Sequence, residues 1–341
     1  MHSHRIAPKR AIAIVGGESL LGKDIRELLE ESHLAADIKL VASEASDETS
    51  AVLTRGRDEP LIMSSLKAAD LDAAQILVLA GSRESSLRAY EHVRKLPRTP
   101  SIIDLTGGIE DLPDARLRAP SVEPTGYQPG AGVQVIAHPA AIALALFLLN
   151  VQKAGAMRRV ITEIFEPASE RGQAGLDELQ KQTAGLLSFK PLSKDVYDAQ
   201  VSFNMLPEYG SDSKHSLGAI ELRIDRNLAS LLAAAKVMPM PSLRLIQAPV
   251  FHGYSISAWV EFDQIPSKET IVEALTSTSI DVRAKDEEPP SNVGVAGQAG
   301  ITVGGITKDR NEPLAYWFWM VADNLRITAE NAVEVIRGFL A

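Results

Sequence analysis

The sequence predicts an α/β nucleotide-binding domain of the Rossmann type followed by an α+β domain, and three observations carry that reading. An apolar strand at 11–15 runs into the glycine-bearing turn 16–22, after which Ile25, Leu28 and Leu29 recur at helical spacing. Short apolar runs then alternate with helical patterns, as in a parallel, helix-covered sheet. Beyond Gly155 the runs lengthen, several of them alternate, and a partly antiparallel sheet is expected.

The turn reads Gly16-Gly17-Glu18-Ser19-Leu20-Leu21-Gly22. A glycine turn opening a helix lets backbone approach a pyrophosphate, whose charge the helix N-terminus favours; a tight turn with no ligand is the competing reading. The next strand, 38–42, ends at Ser43-Glu44, where such a domain contacts the adenosine ribose. An acid there repels the 2′-phosphate of NADP and accepts from a free 2′-hydroxyl, so NAD is favoured over NADP; a solvated loop glutamate reads equally well. Strands follow at 61–63, 76–80 and 101–104, with a helical pattern at 85–95. Ala80-Gly81-Ser82 and Thr106-Gly107-Gly108 close two of these strands at the carboxyl edge, where open α/β sheets bind ligands. The candidate cofactor-binding residues are therefore Gly16, Glu18, Ser19, Leu20, Leu21, Gly22, Ser43, Glu44 and Gly81. Residues 109–132, rich in Pro and Gly, read as one long connection.

The strand Val133–Ile136 then feeds a helix at 139–151. His138 stands where a cap would, Pro139 at the first helical position needs no backbone donor, and the mostly apolar run that follows suits a buried helix rather than a bilayer span. Such a junction aims unpaired N–H groups at the place where a nucleophile or an anion would sit. Ala140 and Ala141 occupy it.

In the second part, strands are expected at 160–165, 199–203, 242–246, 255–262 and 315–322, with helices near 173–187, 215–234 and 267–276. The segment AYWFWMVA at 315–322 reads as a core or interface strand, and DEEPPS at 286–291 as a loop. A last helix starts at Thr328 and places Ala329, Ala332, Val333, Ile336 and Leu340 on one face.

Composition narrows the function. The 341 residues are 45% hydrophobic, enough for two full cores, and 44 acidic against 35 basic residues leave a formal charge of −9. That balance argues against nucleic acid and anionic membrane as partners and for small molecules or other protein chains. The absence of cysteine excludes disulfides, thiolate metal sites and a thiol nucleophile, and points to the cytoplasm. The seven histidines show no metal-ligand spacing, and no metal is expected. His138 and His252 read first as a cap and a loop residue.

Five stretches, in order, resemble the aspartate-semialdehyde dehydrogenase family over nearly the whole chain: AIVGGESLLG at 13–22, AHPAAI at 137–142, FEPASERGQAGLDEL at 165–179, QAPVFHGYS at 247–255 and WMVADNLRITAENAVEVI at 319–336. The resemblance implies an NAD(P)-binding domain over 1–140 with the final helix 326–341, and a dimerisation and substrate-like domain over 141–325. It also implies conversion between an aspartyl phosphate and its semialdehyde with NADP, through a cysteine thioester formed at a helix N-terminus and a histidine that moves the proton. Position by position, this sequence departs from that chemistry. The nucleophile position is Ala141, and the histidine of Gly-His-Ser is Tyr254, a phenol titrating near pH ~10. The substrate-clamping arginine is Gln247, the glutamine of the Tyr-Gln-Ala-x-Ser segment is Glu166, and a phosphate-holding arginine falls at Glu110. The middle glycine of the nucleotide turn is Ser19, which narrows the approach of a pyrophosphate.

Usg-type relatives also lack the cysteine, and Phe189-Lys190-Pro191 with Gln200 to Pro207 looks closest to that branch. The first expectation is thus a non-catalytic dimeric homologue that still binds NAD(P), as a homodimer or paired with a protein partner or an active relative. The alternatives are a rewired NAD(P)-dependent oxidoreductase using His138, Tyr254 or Glu166 without a thioester, and an interaction scaffold that binds no nucleotide.

Overall fold

The computed structural model describes residues 10–34, 36–43, 50–52, 61–64, 69–124, 130, 132–233 and 239–340. The chain divides into two compact units, Met1–Pro120 with Pro124–Ala137 and Thr328–Ala341, and Ser121–Glu123 with His138–Ile327. Glu44 and the amino-terminal His2 and His4 lie outside the described residues.

The first unit is built on strands β1 (Arg10–Val15), β2 (Ala36–Val41), β3 (Ser50–Val52), β4 (Leu61–Met63), β5 (Ile76–Leu79), β6 (Ser101–Asp104), β7 (Ala115–Arg118) and β8 (Val133–Ile136). Six of them form one sheet in the order β2-β1-β5-β6-β8-β7, every pairing parallel. β3 and β4 pair antiparallel with each other, and Ser64 bridges Val41 at the end of β2 in parallel. With that bridge, β4-β2-β1-β5-β6-β8 reproduces the 3-2-1-4-5-6 order of dinucleotide folds, and β7 adds an edge. The hydrophobic core contains Ala13 and Val15 of β1, Leu77 and Leu79 of β5, and Ala89 and Val93 of a covering helix.

Helices α1 (Leu20–Glu31), α2 (Ala69–Asp72) and α3 (Arg83–Val93) belong to this unit. Ser19 caps α1 by accepting from Gly22 N, and Ser82 and Ser85 cap α3 with a reciprocal box. The strand order reverses between β1 and β5, where Gly16 and Gly81 follow the two strands. Gly16 has φ +85°, and a Cβ there would stand 2.3 Å from the Gly81 Cα. Only glycine meets both conditions.

The second unit carries α4 (Pro139–Val151), β9 (Met157–Glu166), α5 (Gly172–Leu187), α6 (Leu217–Leu232), β10 (Ser242–Gln247), β11 (Tyr254–Phe262), α7 (Lys268–Leu275), β12 (Ile280–Val282), β13 (Ile301–Lys308) and β14 (Ala315–Ala322). Its sheet runs β10-β9-β11-β14-β13-β12, antiparallel through the middle and parallel at both edges. Burial alternates along β9: Val160, Thr162, Ile164 and Glu166 point inward, while Arg159, Ile161 and Glu163 are exposed. The same exposed register continues onto β14, where Trp317 is 43% exposed between buried Tyr316 and Phe318. One sheet face is thus covered and the other open, as an antiparallel sheet permits. α4 is apolar all round and buried along most of its length, the pattern of a core helix.

Four expectations change. The strand expected at 199–203 does not form, because a side chain takes its backbone groups: Gln182 Oε1 accepts from Val201 N and Ser202 N, and Gln182 Nε2 donates to Ala199 O. Phe203 then turns away at φ +63°. The 109–132 connection contains β7 on a sheet edge. The run at 61–63 forms its strand but pairs along its length with β3, and meets the parallel sheet through the Ser64–Val41 bridge at its end. Helix α8 (Asn324–Leu340) begins before Thr328, since the Asp323 carboxylate accepts from Leu325 N and Arg326 N and caps the extra turn.

Gly16→Ala should destabilise the first unit by on the order of 2 kcal/mol or more, read as a lowered denaturant midpoint, because it adds both a left-handed backbone penalty and a backbone clash. Gly172, which also has positive φ (+62°) but nothing within 4 Å of an added Cβ, should cost less on the same change.

Candidate functional site

The α4 junction is assembled entirely within the second unit. His138 N donates to Asn227 Oδ1 of α6 at 2.8 Å, which fixes the residue ahead of the helix. The imidazole Nδ1 accepts from Ala140 N at 3.3 Å, so the ring itself caps α4 and Pro139 takes the first helical position. Ala141 follows in the first turn and is completely buried. Its side chain is a methyl group, so the helix terminus is built and capped without a nucleophile on it.

Beside this junction lies a polar cluster gathered from the ends of three strands. Glu166 ends β9, Gln247 ends β10 in register with it, and Tyr254 begins β11. All three are fully buried. Arg171 Nη2 donates to Glu166 Oε1 at 2.9 Å, the Tyr254 hydroxyl to Glu166 Oε2 at 3.3 Å, and the Tyr209 hydroxyl lies 2.7 Å from Gln247 Oε1 and 3.1 Å from Glu166 Oε1. Gln247 Nε2 donates to the carbonyls of Glu166 and Ala248. Asn324 extends the network: Nδ2 donates to Glu170 Oε1, and Oδ1 accepts from Gly253 N and the Ser169 hydroxyl. The His138 ring centroid is 6.0 Å from that of Tyr254, and His138 Nε2 is 4.0 Å from Glu170 Oε2.

Burial sets the protonation states. It drives the His138 imidazole well below its usual range, helped by the positive charges of Arg223 and Arg171, so the ring is neutral and its Nδ1 is free to accept. Burial, and then the neighbouring Glu166, push Glu170 up to about 7. The Tyr254 phenol is forced well above its ordinary value by burial and by Glu170 and Glu166. Desolvation opposes the charge on Arg171, but Glu166, Tyr209 and Glu170 outweigh it and the guanidinium stays protonated. The cluster therefore holds a buried ion pair, a carboxyl poised near neutrality and a phenol that does not ionise.

Of the residues singled out from the sequence, Glu166, Gln247 and Tyr254 come together here. Glu110 belongs to the first unit, in the turn after β6. Sequence reasoning missed Glu170, Arg171, Tyr209, Asn227 and Asn324. Glu170 and Arg171 were visible as a charged pair inside an otherwise small and apolar segment, whereas Tyr209 sits in a loop that carries no signal.

In the first unit the nucleotide-turn residues also meet. Glu18 Oε1 accepts from Ser43 N at 2.9 Å, the Ser19 hydroxyl donates to Ala80 O at 2.7 Å, and a Cβ on Gly81 would strike the Ser43 and Ser85 hydroxyls. A Cβ on Gly22 would stand 2.0 Å from Gly16 O. Leu20 and Leu21 open α1. Gly16, Gly22 and Gly81 therefore each stand where a side chain has no room, while Ser19 turns its oxygen onto the helix it caps. Among the described residues, no group of three His, Asp or Glu lies placed to hold a metal ion, and no helix is long and apolar enough to cross a membrane.

A doubly wound nucleotide unit, joined at a strand-to-helix junction to a mixed-sheet unit with a buried polar cluster, defines the semialdehyde dehydrogenase class. The family profile described as semialdehyde dehydrogenase, dimerisation domain, matches residues 148–327, more than half of the chain. The chain is 26% identical over 96% of its length to the aspartate-semialdehyde dehydrogenase of Rickettsia bellii, covering 96% of that protein. It is 28% identical to a USG-1 protein homolog of Pseudomonas aeruginosa, over 92% of this chain and 93% of that one. A solved probable aspartate-semialdehyde dehydrogenase from Pseudomonas aeruginosa superposes with a TM-score of 0.83 at 25% identity, covering 96% of this chain and 98% of the other. This chain belongs to the aspartate-semialdehyde dehydrogenase family and resembles its USG-1 branch.

Glu170 gives the cluster a measurable pH signature. Its folded-state pKa of about 7 exceeds the unfolded value of 4.5, so the folded protein holds a proton that the unfolded chain releases. Its contribution to stability is complete below pH 4.5 and is lost as pH rises toward 7, at no more than about 1.4 kcal/mol per pH unit. Glu170→Gln keeps the oxygen that accepts from Asn324 and removes the titration. The variant should therefore gain on the native protein between pH 5 and pH 8 in denaturant midpoint; a constant difference across that range would contradict the assignment. His138, whose depressed pKa gives the opposite slope, is present in both proteins.

Proposed function

We propose that this chain is a non-catalytic, dimeric homologue of aspartate-semialdehyde dehydrogenase that retains a dinucleotide site and lacks the acyl-transfer chemistry. The observation that carries the reading is Ala141, a buried methyl in the first turn of α4, at the position where family resemblance expects the thiolate. The capped terminus, its neutral imidazole and its Asn227 anchor would suit a thiolate, and nothing there can attack a carbonyl. Support comes from Tyr254, whose phenol burial makes a poorer proton carrier than the expected histidine, and from Gln247, a neutral amide committed to two carbonyls. In this reading 1–140 with 326–341 form the NAD(P)-binding domain and 141–325 the dimerisation domain. Gly16, Glu18, Ser19, Leu20, Leu21, Gly22, Ser43, Glu44 and Gly81 hold the cofactor, and the protein is cytoplasmic.

A second reading, hydride transfer without a thioester, draws on Glu170, a carboxyl held near the neutral range that general acid–base catalysis requires. His138 and Tyr254 do not serve it, one held neutral and spent on a cap, the other kept protonated. The pairing we propose is a homodimer through the open sheet face, where Ile161 and Trp317 stand 48% and 43% exposed. An aromatic, half-exposed strand in the middle of a sheet is suited to burial against a second chain.

With NAD or NADP, purified protein should neither reduce aspartyl phosphate nor oxidise its semialdehyde above the reagent blank, and Ala141→Cys alone should leave it so, because Gln247 and Tyr254 remain. Turnover by the native protein would favour the oxidoreductase reading, and turnover by the single variant would show that only the thiol was missing. Sedimentation velocity should give a dimer, shifted toward monomer by Trp317→Asp.

A further inference from the structure

The first unit brings a carboxylate to an unexpected place. In doubly wound folds, the acid that accepts from the adenosine ribose belongs to the end of the second strand, about 20 residues beyond the glycine turn. Here the turn itself supplies one. Glu18 reaches across to the end of β2, where its Oε1 accepts from Ser43 N at 2.9 Å. Its second oxygen, Oε2, is buried and has no hydrogen-bond partner among the described residues. A buried carboxylate oxygen left without a donor is costly, and a ligand hydroxyl would satisfy it.

The surroundings are those of a dinucleotide site rather than of an isolated helix end. Gly16 and Gly81 meet at the switch point with no room for a Cβ on either, the Ser43 hydroxyl lies over Gly81, and Gly22 packs on Gly16 O. These contacts place Glu18, Ser43 and the two strand-end glycines together at the switch point. Arg88, whose guanidinium reaches this group, is exposed and already donates to Ser43 O at 2.9 Å.

We propose that Glu18 receives the ribose of an adenine dinucleotide whose 2′-hydroxyl is free, so that this turn takes NAD and turns away NADP, the cofactor its enzymatic relatives use. The assignment rests on the reading of the turn as a dinucleotide site. Glu18 Oε1 is held by the backbone of Ser43, which leaves Oε2 to accept from the ribose. A 2′-phosphate would bring roughly two negative charges against the same carboxylate, while Arg88, the cation seen on Ser43 among the described residues, is exposed and already engaged.

Isothermal titration of the full-length native protein with NAD and with NADP tests this directly. NAD should bind about tenfold or more tighter than NADP. Glu18→Gln keeps an oxygen for Ser43 N and removes the charge, so the gap should close mainly through stronger NADP binding, with the thermal midpoint confirming that the variant is folded. Glu44→Gln should leave most of the gap in place. Equal affinities, tighter NADP binding, or a gap that survives Glu18→Gln but vanishes in Glu44→Gln would overturn the role of Glu18 and leave the dinucleotide site standing. Failure of both cofactors to bind at millimolar concentration would overturn the site and this inference together.

Discussion

Arg171 and Glu166 meet at 2.9 Å with the carboxylate wholly buried and the guanidinium nearly so, and the polar interior of the second unit is arranged around that contact. Three strand ends deliver Glu166, Gln247 and Tyr254 to one spot because β9 and β10 are in parallel register and β11 runs back antiparallel beside them. Each polar atom delivered there needs a partner, since a buried polar group left without one is costly. The Tyr209 and Tyr254 hydroxyls and the carbonyls of Glu166 and Ala248 supply them, and the guanidinium meets the carboxylate's charge. Buried ion pairs rarely add net stability over a well-packed apolar core, yet removing one partner costs on the order of 3–5 kcal/mol. The cluster thus constrains what its neighbours can be more than it strengthens the fold.

Seen against the family pattern, this cluster redistributes charge. Resemblance expects an arginine at 247 and a neutral amide at 166; here the amide stands at 247, the acid at 166, and a cation arrives from 171. Counting losses along the sequence alone makes the site look anion-repelling. In space, Arg171 restores a positive charge and Glu166 consumes it. What remains is a site that is internally neutralised, with Glu170 as the one carboxyl whose ionisation burial defers to about 7.

Much of the architecture was legible because single elements announce themselves. β4, β6, β8, α4 and β14 stand where their apolar runs put them, bounded by Pro, Gly and Asp. Elements whose hydrogen bonds depend on distant partners were not. The 199–203 segment has the composition of a strand, but Gln182 of α5 takes its backbone groups before any strand can. β7 is short and polar and exists because β8 offers it an edge. At the site, Ala141, Gln247 and Tyr254 were legible as departures from a motif, while Tyr209 and Asn227 act only through tertiary contact. Glu18 was legible as a turn residue but not as a neighbour of Ser43, which follows it by 25 positions.

The exposed side of the second sheet has a spectroscopic corollary. Its three tryptophans, Trp259, Trp317 and Trp319, are all the chain possesses, and Trp259 and Trp317 share one acceptor, donating together to Asp309 Oδ2 at 2.9 and 2.8 Å. Indole emission therefore reports the second unit alone and leaves the first unit optically dark. A melt followed by that signal would miss an independent opening of the nucleotide turn. A change in the same signal on self-association would mark the sheet face that carries it.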